Sequence, residues 1–250
     1  MCHSDKSLRV KVSFVLPAFN EAKQIVPVLR SLNQIRTDFA VGHWESELIV
    51  CDNNSDDGTA DLARSEGAKV VFESKNQISR ARNRGASVAR GEWLVFVDAD
   101  TYPSHALLED MAAAMDSGRV LGGGSTLKMD CDGFVIGFMT GLWNWVSRIS
   151  SFAAGSFIFC EREAFESLEG FSLDLYAGEE LEFSKRGKQM ARRQGKSWVI
   201  LTRHPAITSS RKIRLYRPRE IMAFFARAIL FSNRTLRNRK SCGMWYDGRR

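Results

Sequence analysis

Gly91-Glu92-Trp93-Leu94-Val95-Phe96-Val97-Asp98-Ala99-Asp100 is the stretch that decides the fold. Glu92 to Val97 reads as a buried strand, and two carboxylates follow it at once. The same grammar recurs upstream. Val10 to Leu16 is a compact β-rich run stopped by Pro17. Glu21 to Leu32 carries Ile25, Val28, Leu29 and Leu32 at helical spacing. Glu47 to Cys51 is a second strand, ending in the polar cluster Asp52 to Gly58, with Thr59 placed to cap the next helix. Lys69 to Phe72 is a third strand, and Ser79 to Ala89 a helix ended by Gly91.

Strands alternating with helices predict an α/β fold: a Rossmann-like, mostly parallel sheet with helices on both faces. In open sheets of this kind ligands bind beyond the carboxyl ends of the strands. The chemistry is therefore expected along Pro17 to Glu21, Asp52 to Asp57 and Asp98 to Asp100.

The second half is less regular. Val120 to Met129 reads as a strand kinked at Gly122 to Gly124, Phe134 to Ile149 as an apolar helix, and Gly155 to Cys160 as a strand. Glu179 to Arg193 is a helix, Trp198 to Leu201 a short strand, and Pro218 to Ser232 a last helix.

Composition narrows the class. Of 250 residues, 44% are apolar and 26% charged, as in ordinary globular domains. The net charge of +7 is lopsided: Arg203 to Arg250 holds 13 Lys or Arg against Glu220 and Asp247 alone. Such an end suits anionic partners, while its last dozen residues read as a solvated tail. The five cysteines form no C-x-x-C pair, which argues against a zinc site or a disulfide framework. Cys51 and Cys160 read as buried thiols and the chain as cytoplasmic. Met1 to Leu8 lacks a signal-peptide core. The most apolar region, Phe134 to Phe159, is interrupted by Asn144, Arg148 and four serines, short of the roughly 18 apolar residues of a span.

Asp98 and Asp100 are hard oxygen ligands suited to Mg²⁺ or Mn²⁺ that also holds substrate phosphates. Alternate residues of a regular strand point apart, so both reach one ion only from the turn beyond it. Glu179 and Glu180 form a second acidic centre at a helix start. Glu182 is spaced to pair with Arg186.

Several runs resemble family 2 glycosyltransferases. They are Val15-Leu16-Pro17-Ala18-Phe19-Asn20-Glu21, Asp52 through Gly58-Thr59, Ser79-Arg80-Ala81-Arg82-Asn83-Arg84-Gly85, Ala89-Arg90-Gly91-Glu92, and Phe96-Val97-Asp98-Ala99-Asp100. Phe165 to Gly170-Phe171 and Gly178-Glu179-Glu180-Leu181-Glu182-Phe183 are similar more loosely.

The resemblance implies a GT-A fold with an acceptor-side C-terminal elaboration and a nucleoside-diphosphate sugar donor, leaning to uridine. It implies that Pro17, Phe19 and Glu21 line the nucleotide pocket and that Asp52 accepts a hydrogen bond from the base. An Arg of the Ser79 to Asn83 segment, Arg82 foremost, approaches base or phosphate. Asp98 and Asp100 hold ribose and metal. By their position after the last strand, His204 is a candidate further metal ligand and Arg211 a candidate phosphate contact. Glu180 stands where the family has an Asp base, with Glu179 as its rival. Trp143, Trp145 and Phe152 fall where acceptor sites occur. Residues 1–8 form a flexible N-terminus and 9–217 the transferase domain, divided into a nucleotide-sugar half (9–102) and an acceptor and catalytic half (103–217). Residues 218–250 form a C-terminal helix and basic tail.

The expected activity is metal-dependent transfer of a sugar to a sugar, lipid-linked or small-molecule acceptor, with inversion. No Q-x-x-R-W processivity signature occurs, so single additions are expected. A nucleotidyltransferase would carry a glycine-rich loop where Pro17 to Glu21 stands. A nucleic-acid binder leaves the acidic strand ends unexplained. A catalytically inactive nucleotide-sugar-binding module is the other alternative. For Pro218 to Ser232 two readings stand: a helix packed on the core, or one lying on anionic membrane.

Overall fold

A computed structural model of the chain describes residues 11–40, 45–131, 133–211, 215, 216, 220, 223, 227 and 232–246. The expected flexible N-terminus, and most of the expected Pro218 to Ser232 helix, lie outside them.

The first half alternates as its sequence predicts. It runs β1 (Val12–Ala18), α1 (Ala22–Ala40), β2 (Ser46–Asp52), α2 (Thr59–Ser65), β3 (Lys69–Phe72), α3 (Ile78–Ala86) and β4 (Trp93–Val97). Then follow β5 (Thr101–Tyr102), α4 (His105–Asp116), β6 (Val120–Met129), α5 (Phe134–Ser150), β7 (Phe157–Glu161), α6 (Arg162–Ser167), α7 (Glu179–Arg193) and β8 (Ser197–Thr208). Near the end lie α8 (Ser232–Leu236), a 3₁₀ turn (Arg239–Cys242) and α9 (Gly243–Tyr246).

One eight-stranded sheet has the order β3-β2-β1-β4-β7-β6-β8-β5. β3, β2, β1 and β4 pair in parallel, and β8 is parallel to β6. β7 runs against both β4 and β6, so the two halves meet through an antiparallel strand. Ala18 lies opposite Asp52 and Val15 opposite Phe96, which puts the tips of β1, β2 and β4 on one edge.

The core fills both faces. One face packs Phe14, Leu16, Val50, Val95 and Phe157 against Ile25, Leu29 and Leu107. The other gathers Phe96, Phe165, Phe171 and Phe183 beside Trp198, with Phe96 edge-on to Phe171 at 5.0 Å between centroids.

Several local expectations change. Pro17 does not stop β1, because β1 continues to Ala18 against Asp52. α1 runs on to Ala40 and accommodates Pro27 in its second turn. Thr59 does not cap α2. Gly58 does, in a left-handed conformation at φ 83°, and the Thr59 hydroxyl accepts the Glu21 N–H at 2.9 Å instead. α4 has no counterpart in the sequence reading. Ser104 caps it by accepting the Leu107 N–H at 3.1 Å, and Leu107, Leu108, Met111 and Met115 are its buried side.

Gly122 to Gly124 form a tight seam inside β6, flanked on both sides by register shifts against β8. A side chain on Gly122 would meet the Phe159 carbonyl at 2.6 Å, and one on Gly123 would overlap Val199. β8 is far longer than Trp198 to Leu201, because it pairs with both β6 and β5. The end of the chain is not all solvated tail. Cys242 and Tyr246 are buried, with Ala177, Ile78 and Leu236 around them.

Candidate active site

The tips of β1 and β2 are stitched together by side chains. Asn20, at φ 52°, donates its N–H to Ser55 Oγ and accepts from the Asp56 N–H, both at 3.0 Å. Asp57 accepts from the Ala22 N–H at 3.0 Å. Pro17 and Phe19 are half-buried on this edge. Asp52 is buried, with Oδ1 receiving the Ser55 N–H at 3.2 Å. Asn53 is a residue the sequence reading passed over. Its amide donates to the carbonyls of Glu73 and Lys75 and its oxygen accepts the Gln77 N–H, fixing the entry to α3.

Glu21 is buried at the head of α1, and its Oε2 accepts from Arg211 Nη2 across the length of the chain. The Arg211 Nε and Nη1 atoms are buried and have no hydrogen-bond partner. Arg211 stands just after β8, whose continuation gives the Ser209 N–H to the Asp100 carbonyl at 3.0 Å. Burial, then Asp100 and Asp130, raise the Tyr102 phenol above its ordinary pKa, with Arg211 opposing. These groups therefore share one neighbourhood. Asp130, which also accepts the Ser210 N–H at 2.8 Å, was not among the expected residues.

Arg82 turns inward. Its side chain is 2% exposed, with Nη1 on Glu179 Oε1 at 2.8 Å and Nη2 on Asp98 Oδ1 at 3.0 Å. Nη2 also reaches the Gly155 carbonyl at 3.0 Å, and the guanidinium lies 5.2 Å from the Phe171 ring centre. Burial works against its charge, but Asp98, Glu179 and Glu180 outweigh it, so the pKa is raised. Arg80 bonds Gln77 and Arg84 is exposed. Arg82 was expected at base or phosphate; here two acids and a carbonyl hold both its terminal nitrogens.

Glu179 is thereby tied, while Glu180, the next residue of α7, is half-buried and forms no ion pair with Arg82. Burial raises the Glu180 carboxyl to about 8. Glu179 and Asp98 add to the effect and Arg82 opposes it. A carboxyl tuned near neutrality can exchange a proton at working pH. Glu182 pairs with Arg186 at 2.6 Å, as its spacing predicts.

His204 is not brought to this edge. Its Nδ1 lies 3.0 Å from Asp110 Oδ2 on α4, and the side chain is 47% exposed. The cause is a register break: between Leu201 and Ala206, β8 leaves its pairing with β6. Among the described residues no group of three or more His, Cys, Asp or Glu is placed to hold a metal ion. Asp100, buried at the β4 tip, and Asp98, 28% exposed, still fit an ion that takes one or two carboxylates and completes its shell with phosphates and water. The partnerless Arg211 nitrogens nearby suit those phosphates.

The sequence profile described as Glycosyl transferase family 2 matches residues 13–168. The chain belongs to this family. Two relatives are similar over part of their length. The uncharacterized glycosyltransferase YfnE of Bacillus subtilis (strain 168) is 35% identical over 96 residues, 36% of this chain and 23% of YfnE. Glycosyltransferase AglE of Haloferax volcanii is 33% identical over 104 residues, 39% of this chain and 33% of AglE. The chain thus spans a third or less of either relative.

Among solved structures, S. aureus TarS 1-349 superposes with a TM-score of 0.62 at 24% identity, over 89% of this chain and 66% of that one. Glucosyl-3-phosphoglycerate synthase from Mycobacterium tuberculosis, with Mn²⁺, UDP and glucosyl-3-phosphoglycerate, gives 0.63 at 19% identity, over 94% and 80%. These likenesses bear out the α/β, GT-A architecture expected of a family 2 chain.

Proposed function

We propose that this chain transfers a sugar from a uridine-diphosphate sugar to an acceptor hydroxyl, with inversion at the anomeric carbon. One observation carries the reading: two sets of acids and cations share the strand-tip edge. Glu21 is paired with Arg211, and Asp98 is joined through Arg82 to Glu179, beside Glu180.

In this account Pro17, Phe19 and Asp52 receive the base, with the Asp52 carboxylate accepting its N–H. Arg211 grips the diphosphate through the nitrogens left over from Glu21. Asp100 and Asp98 would hold Mg²⁺ or Mn²⁺, which would supply positive charge to a leaving nucleoside diphosphate. Glu180 takes the acceptor hydroxyl's proton as that oxygen attacks the anomeric carbon, and the bond to the β-phosphate oxygen breaks. Arg82 holds the acids in place rather than touching the donor. His204 has no part in the metal site.

TarS has been solved with UDP-GlcNAc and the mycobacterial synthase with Mn²⁺ and UDP, which supports the same donor class and metal here. The acceptor is a sugar, a lipid-linked or a small molecule. Incubation with a panel of nucleotide-sugars and Mn²⁺ tests the reading. Release of UDP from one UDP-sugar, lost with Asp100→Ala, is the expected result. Release from no member of the panel would overturn it.

A further inference from the structure

α5 is built inside out. Its polar residues Thr140, Asn144 and Ser147 face the protein. The Asn144 amide donates to the Leu127 carbonyl at 2.8 Å and accepts the Leu127 N–H at 2.9 Å, while buried Ser147 donates to the Phe152 carbonyl at 2.7 Å. Most apolar residues among the described side chains face outward, with Trp143 half-buried: Phe138 is 64% exposed, Leu142 48%, Trp145 60% and Ile149 67%. Their spacing of four, three and four repeats the spacing of the inward polar set, so two opposite stripes are complete. Met139 and Val146 widen the outward stripe, which is about 16 Å long. An exposed contiguous apolar stripe of this kind marks an interaction surface.

Charge selects the partner. α5 contains no acidic residue, and Arg148 is exposed within its outer face. At the carboxyl end Lys188 donates to the Ser150 carbonyl and lies 5.5 Å over the Phe152 ring. Arg192 lines the same recess as Ser151 and Lys188, and Lys196, also there, is paired with Glu161. Packed antiparallel across a two-fold axis, a second copy would set this cationic end against the start of its own α5, which offers no acidic residue. An apolar stripe with a cationic end instead matches lipid chains beneath anionic headgroups.

We propose that the outward face of α5 docks on the surface of an anionic lipid bilayer. The helix lies in the interface and does not cross it, since no helix among the described residues is long and apolar enough to span a membrane. α5 leads through Ser151 to Gly155, whose carbonyl holds Arg82. Docking therefore brings the acidic centre at Glu179 close to the lipid surface.

Sedimentation with vesicles of phosphatidylcholine plus phosphatidylglycerol, and of phosphatidylcholine alone, tests the proposal at low salt. The full chain should partition onto the mixed vesicles only. Trp145→Glu/Ile149→Glu, at exposed positions, should melt at the wild-type temperature and partition at least about tenfold more weakly. As a second readout, lipid with brominated chains should quench tryptophan emission, and Trp145→Phe should remove most of that quenching. Undiminished partition of the double variant would overturn the proposal and move the contact to the basic C-terminal residues. So would no sedimentation of the wild type, or a vesicle-independent dimer that the double variant dissolves.

Discussion

Arg82 and Glu179 meet at 2.8 Å with side chains 2% and 4% exposed, and the other arm of Arg82 reaches Asp98 at 3.0 Å. One guanidinium therefore ties the tip of β4 to the first turn of α7. In the proposed reaction that joins the donor-side acid to the acceptor-side acid. Removing one partner of a buried charge set costs far more than the set contributes, because the remaining charges lose their compensation.

Arg82→Met should thus destabilise the fold by about 3–5 kcal/mol, read from urea unfolding. Arg82→Lys keeps the charge but cannot bridge two acids and a carbonyl with one fork, so it should fall between. A Met variant within about 1 kcal/mol of wild type would contradict this role.

Glu180→Gln should lower kcat by about 100-fold or more and leave nucleotide affinity unchanged, as loss of a general base does. Steady-state kinetics beside UDP titration separates the two. Glu179→Gln should instead cost stability, because Arg82 loses a charged partner. If Glu179→Gln gives the kinetic pattern and Glu180→Gln does not, the base has been assigned one residue too late.

The same carboxyl gives a pH dependence. The Glu180 pKa is raised to about 8 by burial and by Glu179, so the ionised base accumulates only as pH climbs toward that value. The kcat/KM of the free enzyme should rise with pH through this range. Stability runs the other way. A group with a raised folded pKa contributes fully below its ordinary value, and that contribution is lost as pH rises toward about 8. Glu180→Gln should flatten this loss in unfolding curves. Equal pH slopes in wild type and variant would contradict the assignment.

At the opposite end of the sheet Glu47 behaves in reverse. Burial disfavours its charge, but Ser13 Oγ at 2.6 Å, the Arg90 N–H at 2.6 Å and Arg90 Nε at 3.2 Å outweigh burial and lower its pKa. Its stabilisation is present above the ordinary carboxylate value and lost as pH falls through the folded one. Glu47→Gln should cost about 1–3 kcal/mol at neutral pH and less in acid, by urea midpoints. An equal cost at both would show that the charge is idle there.

The first hundred residues were legible because strands and helices there carry separate periodicities, and polar clusters fall where the strands stop. Asp52, Asp98, Asp100 and Glu21 reach one edge for that reason. Arg82 was singled out among three arginines, but sequence could not tell a ligand contact from a buried clamp. The difference lies in Glu179, 97 residues away. α4 escaped because its apolar residues blend into an alanine-rich run, although Ser104 was a readable cap. Nor does sequence reveal that β8 breaks register before His204, or that α5 presents its apolar side outward. Both depend on which neighbours the sheet supplies.

The central claim is that this edge binds a uridine nucleotide with a divalent metal, and thermal shift tests it directly. Ligand held by the native state raises its melting temperature by mass action. UDP with Mn²⁺ should raise it more than GDP, CDP or TDP with Mn²⁺, and more than UDP in EDTA, while Asp100→Ala should lose the metal-dependent part. An unchanged melting temperature with every nucleotide, or an equal UDP shift in EDTA and in Asp100→Ala, would contradict the account.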